Sequence, residues 1–191
     1  MKKIPAFVLA LVLAASPALA DGGLPRLLKP ADDAKLKHFE ATRAEALAEA
    51  RAGGDQADIA ILDDALSGTP MDVNGFDAAG TWRCRTIKAG GNLPLVAYGW
   101  FKCRISDDGS GWFLKKVTGS QRTEGRFYTV SQTRLAYLGA GSVAGEKPRL
   151  YGEDAKENQV AFAERLKPNR LVLQFPEPEY ESKFDILLLE R

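Results

Sequence analysis

The sequence predicts an α+β protein: an N-terminal helical hairpin followed by a calycin-like antiparallel β-barrel of about eight strands with one disulfide. Three observations predict this class. Apolar residues recur at helical spacing between residues 30 and 68. From Gly80 onward they alternate with polar residues, and short turns separate the runs. The only two cysteines fall on the apolar faces of the first two predicted strands.

The helical hairpin is predicted from start and stop signals. Asp32 or Asp33 is expected to cap a first helix that runs to about Arg51, where a Gly-Gly pair ends it. Asp55 is expected to cap a second helix, which a Ser-Gly-Thr-Pro sequence stops. A linker rich in Gly, Pro, Asn and Asp, residues 69–79, leads into the β-domain.

The β-domain, residues 80–191, has the short strands of an all-β meander. Strands are predicted from Gly80, around Phe101 to Ile105, and at 112–118, 125–130, 134–139, 149–152, 159–165, 170–175 and 183–190. Residues 159–165 also fit a short helix. A closed barrel is favoured over a sandwich because closure removes exposed strand edges. The last strand is apolar on both faces, so we expect the helical hairpin to cover its outer face.

The two cysteines are expected to form a disulfide. Cys84 shares its strand face with Trp82, and Cys103 shares its face with Phe101 and Ile105. The sequence lacks a CxxC motif and has one histidine, so a redox pair or a zinc site is disfavoured. A cross-strand Cys84–Cys103 bond beside Trp82 is therefore predicted.

Residues 1–20 have the pattern of an export signal. Lys2 and Lys3 precede an apolar run that is too short to span a bilayer, and Ala18-Leu19-Ala20 is a small-x-small cleavage site. We expect a periplasmic or secreted protein, cleaved near Ala20, with residues 21–79 as an N-terminal segment before the barrel. No later stretch is predicted to be transmembrane.

Charge and missing motifs exclude several functions. The 26 basic residues, less Lys2 and Lys3, face 25 acidic ones, a net charge of −1 that gives no general attraction to nucleic acid. Motifs for nucleotide binding, metalloprotease and serine hydrolase chemistry are absent. His38, the only histidine, is expected to be an exposed or half-buried residue rather than a general base. We predict no cofactor, no metal site, and a monomer.

One basic and aromatic cluster is the best candidate for ligand binding. Cations, a hydroxyl and an amide beside two aromatic rings suit an anionic or sugar-like ligand. The candidate ligand-binding residues are Arg85, Lys88, Tyr98, Trp100, Ser120, Gln121 and Arg122. A solvated outer face of a sheet would carry the same residue types.

Two polar segments leave alternatives open. At Thr118 to Arg122, Gly119 interrupts a strand, so this corner either directs side chains into a pocket mouth or is a hydrogen-bonded turn at the barrel rim. The Pro-Glu segment from Glu177 to Glu181 carries three carboxylates. Paired carboxylates perform glycosidase chemistry in a cleft, but an exposed loop is favoured here.

Two resemblances follow from these segments. Gly80-Thr81-Trp82 is similar to the Gly-x-Trp sequence that opens lipocalin-type (calycin) barrels. The sequences EALAEARAGG, WRCRTIKAGG, YGWFKCRI, KVTGSQRTEGRFY and LAYLGA together resemble an exported bacterial family, domain of unknown function 4893. That resemblance implies export and brings no activity.

The functional expectation is a non-enzymatic periplasmic binding module. It would bind a small amphiphilic or anionic molecule in the barrel mouth, or an envelope protein through one face. An inhibitor of an envelope or secreted hydrolase is the alternative, with Asp21 to Pro30 or Glu177 to Glu181 as the inhibitory segment. An enzyme that uses carboxylates or the Ser120 corner is the third hypothesis.

Overall fold

A computed structural model describes residues 23–191; the predicted export signal lies outside this range. Four helices precede the barrel: α1 (Leu24–Leu27), α2 (Pro30–Lys37), α3 (Phe39–Gly53) and α4 (Gln56–Ala65). No helix in the described part of the chain is long and apolar enough to cross a membrane.

The helical region differs from the prediction at its start. The first helix begins at Pro30, with no side-chain cap, so neither Asp32 nor Asp33 caps it. It also breaks at the exposed His38, which separates α2 from α3. The cap of α4 is confirmed, since the Asp55 side chain accepts a hydrogen bond from the Ala57 amide at 2.8 Å.

Eight antiparallel strands close into one barrel, in which each strand pairs with the next and the last pairs with the first. They are β1 (Gly80–Gly91), β2 (Leu95–Asp107), β3 (Trp112–Lys116), β4 (Gln121–Thr129), β5 (Arg134–Val143), β6 (Asn158–Lys167), β7 (Arg170–Pro176) and β8 (Ser182–Glu190). Residues 159–165 therefore form a strand rather than a helix. The predicted class, a helical hairpin before a closed barrel, is confirmed.

The strand predicted at 149–152 is wrong. These residues lie in turns of the long β5–β6 loop. Pro148 has no N–H for a ladder, and Gly152 has a φ of +89°. Tyr151 instead contacts the helices: its hydroxyl donates to Asp32 Oδ2 at 2.7 Å and accepts from the Lys29 amide at 3.0 Å. The loop is thus fastened to α2 rather than to a neighbouring strand.

The helices cover one outer wall of the barrel. Inward side chains of β8, such as Leu187 and Leu189, belong to the barrel core, while Phe184 and Ile186 face outward and pack against α3 and α4. Phe39 of α3 is buried there, with its ring 5.6 Å from that of Phe184. The expected cover over β8 is confirmed, and it explains why this strand is apolar on both faces.

The linker closes one end of the barrel. Phe76 packs edge-on against Trp82 and Trp112, with ring centroids 6.4 and 5.9 Å apart. The Trp82 indole donates to the Ala78 carbonyl at 2.9 Å, and the Arg191 guanidinium lies 4.4 Å from the Trp82 ring. The Gly-x-Trp sequence therefore sits at the closed end, where linker, first strand and chain end meet.

The disulfide joins β1 to β2 inside the barrel. Cys84 and Cys103 are both fully buried, and their Cα atoms are 5.8 Å apart. Trp82 lies directly opposite Cys103 in the ladder. The predicted pairing beside Trp82 is confirmed. The bond lies in the packed half of the barrel interior, near the end that Trp82 closes.

Candidate functional site

The end of the barrel opposite Trp82 holds a cavity of about 220 Å³. In an up-and-down barrel alternate connections share an end, so the β1–β2, β3–β4, β5–β6 and β7–β8 loops all surround this mouth. Below the cavity lie the packed side chains of the core, including Phe175 and Leu187, which also line it. The cavity is thus polar near the mouth and apolar toward the core.

Lys88 projects into this cavity from β1. The two neighbours of Lys88 in the strand, Ile87 and Ala89, point outward beneath the helices, so alternation turns the lysine inward. Its side chain is 8% exposed, and its ammonium donates to Glu181 Oε2 at 2.6 Å. Burial alone would lower the pKa of Lys88, but Asp185, 4.0 Å away, and Glu181 outweigh it, so the pKa is raised.

Lys116 reaches the same cavity from β3 without a carboxylate partner. The residue is 7% exposed; its ammonium donates to Thr86 Oγ1 at 3.1 Å and lies 4.4 Å from the Phe101 ring centroid. No described carboxylate oxygen comes within 4.0 Å of it. Burial, with the nearby Arg122 cation, lowers the pKa of Lys116 to about 8.

Asp185 is the acidic group of the cavity interior. It faces Lys88 across the β1–β8 ladder and Phe175 across the β7–β8 ladder. Ser182 Oγ donates to its carboxylate at 2.5 Å. Burial raises the pKa of Asp185 to about 6, against the opposing effect of Lys88. The interior thus contains two ammonium groups and one carboxyl group that titrates near neutral pH.

The Thr118 to Arg122 corner contains a turn that is hydrogen-bonded to β2, and it also forms part of the cavity lining. Thr118 Oγ1 accepts a hydrogen bond from the Lys102 amide at 2.8 Å, which ties the turn to β2. Gly119 has a φ of +96°, and a Cβ there would lie 3.0 Å from the Phe101 ring. Beyond the turn, Gln121 and Arg122 line the cavity.

Arg122 is incompletely satisfied. Its Nε is buried without a hydrogen-bond partner, and its Nη1 approaches the Lys116 carbonyl at 3.5 Å. A buried guanidinium nitrogen without an acceptor is costly. A ligand acceptor at this position would remove that cost.

The acidic segment from Glu177 to Glu181 crosses the mouth, and all its residues but Glu181 line the cavity. Glu177 and Glu181 have positive φ values of 48° and 70°. Contacts hold the loop at several points, with Glu181 bonded to Lys88, Thr42 Oγ1 donating to Glu177 at 3.2 Å, and the Tyr180 hydroxyl donating to Glu157 at 3.2 Å. The loop is exposed, as expected, and it borders the candidate site.

The structure separates the seven sequence-predicted site residues. Lys88, Gln121 and Arg122 line the cavity. Arg85 and Trp100 lie on the outer wall, where the Arg85 guanidinium is 4.4 Å from the Trp100 ring. Ser120 is exposed in the β3–β4 turn.

Tyr98 does not line the cavity either. Its side chain is partly exposed, yet it lies close enough to Lys88 to contribute to the raised pKa of that ammonium. The predicted cluster is therefore two surfaces, one inside the barrel mouth and one on its outer wall.

The sequence prediction missed two residues of the cavity, Lys116 and Asp185. For each of them the sequence contains a pattern that could have indicated an inward-facing charge. Lys116 follows Leu114 at spacing two, so a charge occupies a position that alternation turns inward. Asp185 interrupts a run that is otherwise apolar on both faces.

The cavity lining contains groups of both charges. Ammonium, guanidinium, hydroxyl and amide groups can donate hydrogen bonds there, whereas the carboxylates of Glu157, Glu177, Glu179 and Asp185 can accept them. Among residues 23–191, no three or more His, Cys, Asp and Glu side chains are grouped so that they could hold a metal ion.

Comparison with known proteins places the chain in a family. The family model described as domain of unknown function DUF4893 matches residues 26–189, which include α2 to α4 and the barrel as far as Leu189 of β8. No curated protein and no solved structure matches the chain. The match extends over most of the sequence, and the chain therefore belongs to the DUF4893 family.

Proposed function

We propose that this chain is an exported, non-enzymatic binding module that holds a small amphiphilic anion in the mouth of its barrel. The observation that carries the proposal is Lys116, a buried ammonium in an open cavity with no carboxylate partner. A buried cation without a counterion is costly, so an anionic ligand would stabilise the site.

The cavity chemistry supports an amphiphilic ligand. Lys116, Lys88 and Arg122 would donate to the anionic head, whereas Phe175 and Leu187 at the base of the cavity would contact an apolar tail. At about 220 Å³ the space is below the roughly 300–1,000 Å³ of pockets for drug-sized ligands. A short-chain carboxylate is the ligand class that fits both the charge and the size.

The alternative, inhibition of an envelope or secreted hydrolase, has less support. An inhibitory loop should protrude and be free to enter a cleft. The loop from Glu177 to Glu181 is instead bonded to Lys88, Thr42 and Glu157. An envelope protein that recognises one face of the barrel is a second possible partner class, and no specific contact surface in the structure favours it.

Isothermal titration calorimetry with hexanoate and hexanol tests the proposal at pH 7. The two probes share a chain and differ in charge, so hexanoate should bind at least tenfold more tightly. Lys116→Met should weaken hexanoate binding about tenfold or more, because a charge-assisted hydrogen bond contributes about 1.5–3 kcal/mol.

Lys102→Met is the matched control, since Lys102 is exposed on the outer wall of β2; it should leave the Kd unchanged. Equal binding of hexanoate and hexanol would contradict an anion site. Failure of acetate, hexanoate and decanoate to bind at millimolar concentration would contradict the proposed function.

A further inference from the structure

The cavity contains two buried lysines in opposite electrostatic situations. Lys88 is paired with Glu181 and faces Asp185, and its pKa is raised. Lys116 donates only to the neutral hydroxyl of Thr86 among described residues, and its pKa is lowered. One lysine therefore stays an ammonium at physiological pH, while the other supplies a neutral amine more readily.

We propose that Lys116 is a reactive lysine that forms a reversible imine with small aldehydes that enter the barrel cavity. The inference uses the cavity of the proposed function and goes beyond it, because a covalent bond to an uncharged carbonyl compound requires no anionic group. Its ligand class is a short-chain aldehyde.

The reaction balances without any further reagent. The lone pair of the neutral Lys116 Nζ attacks the carbonyl carbon, a C–N bond forms, and the carbonyl π electrons move to oxygen. A proton passes from nitrogen to that oxygen, which gives a carbinolamine. Loss of water then forms the C=N bond, and addition of water reverses the sequence.

The surroundings of Lys116 favour the neutral amine. The described groups that face it come from four strands: Thr86 and Lys88 of β1, Phe101 of β2, Arg122 of β4 and Asp185 of β8. Two of these groups are cations and one is a carboxyl group. Because burial and the Arg122 charge disfavour a further positive charge, the pKa of the Lys116 ammonium falls to about 8.

The same surroundings can assist proton transfer and dehydration. Thr86 Oγ1 lies 3.1 Å from the Lys116 nitrogen and can relay a proton. Asp185, whose pKa is raised to about 6, is largely a carboxylate at pH 8 and is available to accept a proton in the cavity. Lys116 is 7% exposed, and the Phe101 ring centroid lies 4.4 Å from its nitrogen, so an imine formed there would have little contact with bulk water.

Trapping with sodium borohydride tests the inference directly. The folded protein is incubated with hexanal, reduced, and analysed by intact mass and peptide mapping. We expect one dominant secondary-amine adduct, located on Lys116, that forms at least tenfold faster at pH 8 than any adduct on the exposed Lys115. The rate should rise with pH around 8 and level off above it, since the neutral amine reacts.

Variants test the assignment to Lys116. Lys116→Arg and Lys116→Gln should both abolish the adduct, whereas Lys102→Arg, on the outer wall of β2, should retain it. Circular dichroism before labelling verifies that each variant is folded. Labelling confined to exposed lysines, or Lys116 labelling no faster than that of Lys115, would overturn the inference.

The outcome is distinguishable from that of the proposed function. Calorimetry with hexanoate and labelling with hexanal are separate measurements on the wild-type protein. Hexanal labelling of Lys116 without hexanoate binding would support the reactive lysine and contradict the anion site. Hexanoate binding without hexanal labelling of Lys116 would support the anion site and contradict the reactive lysine.

Discussion

At the scale of single residues, burial of the Lys116 ammonium is expected to lower the stability of the fold. A lysine whose pKa is about 8 in the folded protein and 10.5 in the unfolded chain binds fewer protons when folded at intermediate pH. The contribution of Lys116 to the free energy of unfolding is therefore lowest below pH 8, and it rises as the pH increases from 8 to 10.5. The shift corresponds to about 3 kcal/mol at neutral pH, at about 1.36 kcal/mol per pKa unit.

Lys116→Met should therefore raise the free energy of unfolding at pH 7 by about 1–3 kcal/mol, and the gain should shrink toward pH 10.5. Urea unfolding at pH 7 and pH 10 measures both values. Lys115→Met is the control, because Lys115 is 48% exposed and pairs with Glu124, so little change is expected. A loss of stability at pH 7 with Lys116→Met would show that the ammonium is well accommodated.

The cavity was only partly predictable from its residues. Lys88, Gln121 and Arg122 were found because cations and an amide cluster in the sequence near the cysteines. Arg85 and Trp100 were grouped with them, yet strand alternation places these on the outer wall. Asp185 is distant in sequence and meets Lys88 only where β8 closes the barrel against β1. Long-range closure of this kind leaves no local pattern.

At the scale of elements, α3 is the outer layer that permits β8 to be apolar on both faces. Turn signals and alternation predicted most strands, since the short loops obey local chemistry. Residues 149–152 were wrongly predicted to be a strand because their structure depends on a distant contact. Tyr151 is hydrogen-bonded to Asp32 of α2, and local propensity does not encode such a contact. The break at His38 lies between two helices that pack in different places: Leu36 of α2 is buried with Leu138 and Val160, whereas Phe39 of α3 is buried with Phe184.

Phe39→Ala should lower the free energy of unfolding by about 3–5 kcal/mol, the usual cost of removing a buried phenylalanine. Phe39 is 2% exposed and packs between Phe162 and Phe184. Leu27→Ala in α1 is the control, because Leu27 is 44% exposed and its loss should cost less than about 0.5 kcal/mol. Thermal and urea unfolding measure both. Equal effects would mean that the helices contribute little to the barrel.

At the scale of the whole molecule, the barrel has one end that is closed by packed side chains and one end that holds a cavity. The linker fills the first end with Phe76, Trp82 and Trp112, while the loop from Glu177 to Glu181 borders the cavity at the second. The disulfide lies in the packed half. Changes at the closed end should therefore affect folding without changing the site.

Phe76→Ala should lower stability by about 1–3 kcal/mol, less than for a fully buried ring because Phe76 is only partly buried. Its hexanoate Kd should stay within twofold of the wild-type value. Calorimetry beside urea unfolding gives both quantities. A parallel loss of affinity would show that the two ends are coupled through the barrel.

The β1–β8 ladder also determines the order in which the barrel can be completed. All the other ladders join strands that are neighbours in sequence. The β1–β8 ladder instead joins residues 107 positions apart, as at Arg83 and Glu190. Loop closure over such a separation is entropically slow, so local hairpins should nucleate first and the ladder should form last. Until then β8, apolar on both faces, has neither barrel nor helices to cover it. The newly synthesised chain is consequently most prone to aggregate at the moment before its final strand docks.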